Sequence, residues 1–123
     1  MFTFFNENPR GANVGDCVIR AICKATGKTW HEVYTVLCIY GYMLCDWGDS
    51  NAVWGAYLQD LGYKRNVVPN TCPACYTIAD FARDHPEGTY IVATGRHVAA
   101  VVDGNIFDSW DSSGEIPAYY FHK

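Results

Sequence analysis

Through the first half of the chain apolar residues recur every three or four positions, and from Gly88 onward they shift to short β-branched and aromatic runs. Val18, Ile22 and Ala25 share one face of a helix opening at Cys17, with Arg20 and Lys24 on another and Gly27 placed to end it in a left-handed conformation. Thr29 and Glu32 have capping-box spacing and start a second helix, whose stripe is Trp30, Val33, Leu37 and Tyr40 and whose stop is Gly41. After a loop over 42–50, Val53, Trp54, Tyr57, Leu58 and Leu61 predict a third helix over 51–61, ended by Gly62. Residues 63–68 read as a short extended piece, 69–73 as a turn, and Thr77 with Asp80 as the opening of a brief fourth helix through Arg83.

Four runs then have strand character: 89–93, 97–102, 106–110 and 116–121, punctuated by Gly95, Gly104 and Gly114. Helices first and an antiparallel meander afterwards mean an α+β fold. A chain of 123 residues with 50% hydrophobic content supports one core, so the expectation is a single domain spanning 1–123.

Charge narrows the possible partners. Thirteen acids against nine Lys and Arg, a net charge of -4 and the lack of a basic stripe argue against nucleic acid. No apolar run approaches the length of a membrane span, and the first residues, Met1 to Glu7, lack the basic start and cleavage site of an export signal. The expectation is a cytoplasmic protein whose six cysteines (17, 23, 38, 45, 72, 75) are free thiols.

Cys17 stands at a helix start, where unpaired first-turn amides and the helix dipole favour the thiolate. A base for it can be sought among His31, His85, His97 and His122. Asp103-Gly104 is a strong two-residue hairpin signal that pairs Val102 with Asn105; counting back places Ala99 opposite Asp108 and His97 opposite Trp110. Strand alternation then sends His97 and Asp108 to the same side as diagonal neighbours, so that the carboxylate can hold the imidazole in one tautomer. The alternative is that the two simply satisfy each other in the sheet. A cysteine at a helix start, followed far downstream by a strand His and a strand Asp, is the arrangement thiol acyl transfer needs.

The order Cys17, His97, Asp108, with Gly15-Asp16-Cys17 opening the helix and His97-Val98 leading to Asp103-Gly104 and Phe107-Asp108-Ser109, resembles a papain-like cysteine peptidase. The likeness is to the small single-domain bacterial and phage-encoded kind related to bacteriocin-processing peptidases. It implies an α+β papain-like fold with the nucleophile helix packed on a C-terminal antiparallel sheet. It also implies a peptide or protein substrate and no metal or cofactor, with Cys17 as nucleophile, His97 as general base and then acid, and Asp108 as the orienting residue. Many such peptidases carry a glutamine about six residues before the nucleophile as oxyanion donor. That position here is Gly11 and the chain's one glutamine is Gln59, so the Cys17 amide with Asn13 or Asn8 is expected in its place.

Two other classes compete. Cys72-Pro73-Ala74-Cys75 has the spacing of a zinc or redox pair, although no second such pair accompanies it. A non-catalytic module could instead use the same cleft, with aromatics such as Tyr42 and Trp47, to hold a peptide or protein. The number of subunits is not legible in the sequence.

Overall fold

The computed structural model describes residues 1–123. In chain order the elements are β1 (Phe2–Phe4), α1 (Cys17–Thr26), α2 (Trp30–Met43), α3 (Asn51–Asp60), β2 (Lys64–Val67), α4 (Ile78–Asp84), β3 (Thr89–Ala93), β4 (Val98–Val102), β5 (Asn105–Asp108) and β6 (Tyr119–His122). The fold is α+β, with four helices packed on a six-stranded mixed sheet of order β1-β5-β4-β3-β6-β2. The two α1 residues Val18 and Ile22, with Val33 and Leu37 of α2 and Trp54 and Leu58 of α3, bury one face against Ile91, Val98, Ala100 and Phe121. The opposite face carries only α4, whose Ile78, Phe81 and Ala82 meet Val92, Ala99, Val101 and Ile106. No helix is long and apolar enough to cross a membrane.

The local signals act as chemistry requires. Gly27 ends α1 at φ 75°, where its amide bonds back to the Cys23 carbonyl. Thr29 with Glu32 and Thr77 with Asp80 form complete capping boxes on α2 and α4. Gly41 does not stop α2, which runs on to Met43; it is glycine because the chain folds back over it, and a Cβ there would lie 2.7 Å from the Asp46 carbonyl oxygen. That close approach pins the 44–50 loop against α2, and Asp49 of the loop lines the same cleft as Cys17.

Three expectations need correction. The sheet is not a simple meander: β3, β4 and β5 follow one another, but β6 crosses back to pair with β3 and carries β2 on its outer side. The pattern also misses β1, three residues that add in parallel to β5 with Phe2 opposite Ile106. A strand this short has no alternation to read, and its partner is a hundred residues away. Finally, Cys72 and Cys75 are not free but joined in a disulfide across the turn, where Asn70 accepts from the Cys72 amide and the Thr71 hydroxyl donates to the Ala74 carbonyl. The other four cysteines are free.

Candidate active site

Cys17 is the first residue of α1, and its cap Asp16 does not cap in the usual sense. No side-chain bond closes the helix start, since both Asp16 carboxylate oxygens are turned inward, one to Arg20 at 2.9 Å and the other to the indole N–H of Trp30 at 2.9 Å. The first-turn amides beside Cys17 therefore keep their positive end open.

The hairpin register is as the Asp103-Gly104 turn dictates, with Val102 opposite Asn105 and Ala100 opposite Phe107. The ladder ends there, short of the expected Ala99–Asp108 and His97–Trp110 pairs. Strict alternation would put His97 and Asp108 on the α4 face with Ala99, Val101 and Ile106. They reach the α1 side because His97 precedes β4 in a tight turn and Asp108 is the last residue of β5. The turn is held by the Thr94 hydroxyl, which accepts from the His97 amide at 3.0 Å. The His97 and Trp110 rings still meet, with centroids 4.7 Å apart.

His97 Nε2 lies 2.6 Å from Asp108 Oδ2, leaving Nδ1 as the other ring nitrogen. Asp108 is wholly buried yet fully partnered: it also accepts from Arg20 Nη2 at 3.0 Å, from the Ser112 hydroxyl at 2.6 Å and from the Ser109 amide at 2.7 Å. Burial pushes its carboxyl up, but these bonds and the charge on His97 outweigh it and hold the group below the ordinary carboxylate value. Burial likewise opposes charging of His97; the Asp108 bond, hydrogen bonding with Cys17 and both their charges prevail and raise the imidazole to about 9. For Cys17 burial raises the thiol, while hydrogen bonding with His97 and with the Val98 backbone, and the charges of His97 and Arg20, bring it below its usual value. All three shifts favour a thiolate beside an imidazolium.

Cys17 and His97 line one cleft of roughly 340 Å³, together with Asn13, Asp49, Arg96 and Trp110. Of the two candidate oxyanion donors, Asn13 is on this cleft. Asn8 is not: it lies on a neighbouring groove, where its side-chain oxygen accepts from the Arg10 and Ala12 amides and shapes the 6–16 loop. That groove, about 610 Å³ and mostly apolar, shares Val14, Gly15 and Val18 with the cleft and adds Trp30, Tyr34 and Trp47. Trp47 and Tyr42 are among the most exposed apolar side chains of the molecule, at 81% and 86%.

Arg20 is the residue that pattern reading misplaces. Assigned to a polar face, it is only 4% exposed, neutralised between Asp16 and Asp108. Its spacing of four from Asp16 was the available signal, the ordinary helical ion-pair distance; Ser112 offered none. No group of three or more His, Cys, Asp and Glu comes together in a way that could hold a metal ion, and both Cys72 and Cys75 sulfurs are engaged with each other. No protein-family model, curated protein or solved structure matches this chain.

Proposed function

We propose that this protein is a cysteine peptidase or isopeptidase with a papain-like arrangement, cleaving an amide bond through an acyl-thiol intermediate on Cys17. The observation that carries the reading is the pairing of a thiol lowered at a helix head with an imidazole whose far nitrogen is locked to a buried carboxylate at 2.6 Å. A structural His–Asp pair would need neither the open helix start nor a cleft at the ring.

In the proposed reaction the Cys17 thiolate attacks the carbonyl carbon, and the oxyanion is met by the Cys17 amide and the Asn13 side chain. Collapse expels the amine, which takes the proton from the His97 imidazolium. His97, now neutral, removes a proton from water, and the hydroxide adds to the acyl carbon. The thiolate then leaves and the acid product departs. Asp108 stays ionised throughout, fixing the tautomer. The apolar groove that opens into the cleft supports a peptide or protein substrate over a small polar amide.

Mass spectrometry of the intact protein after mixing with a panel of peptide thioesters tests this. The expected result is a mass increase equal to the acyl group less the one hydrogen it replaces, located at Cys17, decaying with time and absent in Cys17→Ala. Folded protein that is never acylated at Cys17 by any member of the panel would leave a peptide-binding module as the better reading.

A further inference from the structure

The Arg20 guanidinium lies between two carboxylates, one adjoining Cys17 in the chain and the other bonded to His97. It donates through Nη1 to Asp16, which immediately precedes the nucleophile, and through Nη2 to Asp108, which holds the imidazole. Both pairs are almost free of solvent, with side chains at 4% and 5% exposure for one and 4% and 0% for the other. A fork with fixed geometry is the side chain suited to serve two carboxylates at once; an ammonium is a point charge. We propose that Arg20 is a positioning residue for acyl transfer at Cys17, holding Asp108 against His97 and drawing Asp16 away from the helix start. The inference rests on the peptidase reading above and assigns the buried charge that it leaves without a task.

Three observations support it. Without Arg20, Asp16 would be free to cap α1, placing a carboxylate over the first-turn amides next to Cys17, where it would oppose a thiolate. With Arg20, the cap is turned inward and shared with the Trp30 indole, which lines the apolar groove. Asp108 is also bound on both oxygens: Arg20 and the Ser109 amide hold Oδ1, while His97 and the Ser112 hydroxyl hold Oδ2, which fixes the carboxylate plane. Finally, a buried ion triad is weak support for stability alone, because an apolar core of similar volume does as well or better. Its cost is more readily understood if the charges are used.

The test is the pH dependence of iodoacetamide alkylation at Cys17 in the full chain, read by mass spectrometry, for wild type, Arg20→Lys and Arg20→Met. The groups acting on the thiol are His97 and Arg20, with Asp108 behind His97, Asp16 turned inward to Arg20 and Trp30, and exposed Asp49 and Arg96 along the cleft; only Arg20 is changed. The midpoint is expected to rise in the order wild type, Lys, Met, with the Met variant about tenfold slower at neutral pH, the effect of a shift near one unit. Arg20→Lys keeps a cation between the carboxylates and provides the reading if Arg20→Met does not fold. A folded variant with the wild-type midpoint and rate would overturn the inference while leaving Cys17 as nucleophile. If wild-type Cys17 itself reacts as an ordinary thiol, the peptidase reading falls and takes this one with it.

Discussion

At the scale of single residues the site is held by partners for Asp108. Removing the carboxylate has two separable consequences, because the group both orients His97 and neutralises buried Arg20. Asp108→Asn keeps the shape and is expected to fold, yet to slow turnover sharply, since an amide N–H can donate to Nε2 and so place the ring proton on Nδ1, the wrong tautomer, and an amide no longer stabilises imidazolium. Asp108→Ala leaves Arg20 with one partner in a dry pocket and is expected to cost about 3 to 5 kcal/mol in urea unfolding. Wild-type turnover in Asp108→Asn would make the residue purely structural. His97 and Asp108 were legible as partners because one turn dipeptide sets the hairpin that brings them near each other, but the face they occupy was not, because both lie beyond the end of the β4–β5 ladder, where alternation no longer fixes direction. Arg20 was not, because helical periodicity places a charge on a polar face and carries no information about a carboxylate 88 residues away.

At the scale of elements, caps and apolar stripes gave all four helices with ends within about three residues, the usual uncertainty of helix boundaries. They gave the hairpin of β4 and β5 as well. The sheet order was hidden, because β6 returning to β3 and β1 adding to β5 are long-range choices made by packing on both faces, not by local pattern. The same limit applies to Gly41, whose role is a close approach instead of a stop. Gly41→Ala would drive a methyl into the backbone of residues 46–48 and is expected to destabilise by about 1 to 3 kcal/mol, the range for overpacking. Because Asp49 and Asn51 line the cleft, acylation of Cys17 should slow as well. An unchanged melting temperature would mean that the 44–50 loop is not pinned by this contact.

At the scale of the whole molecule, titration of the site is linked to folding. His97 titrates near 6.5 when unexposed to partners and about 9 in the folded protein, so its contribution is complete below 6.5 and is lost as pH rises through 9. Asp108 is displaced downward, so its contribution is present above 3.8 and is lost as pH falls through its folded value. Cys17, also displaced downward, contributes above 9.0 and loses that contribution as pH falls through its folded value, which partly offsets His97 at the alkaline end. The stability difference between wild type and His97→Gln, measured by urea unfolding, should therefore be wide at about pH 6 and narrow by about pH 10. A difference that did not vary with pH would mean that His97 titrates alike in the folded and unfolded chain, and would remove the Asp108 and Cys17 interactions as the source of its upward shift.

If the fold makes Cys17 a nucleophile, competitive alkylation of the four free cysteines at neutral pH will single it out. Cys38 and Cys45 are exposed, whereas Cys17 is only partly so, and access alone would favour the former. Cys17 is expected to be modified about tenfold faster or more, as for a thiol biased to thiolate, and His97→Ala is expected to remove the advantage. Cys17 reacting no faster than Cys38 and Cys45 would contradict its role as nucleophile.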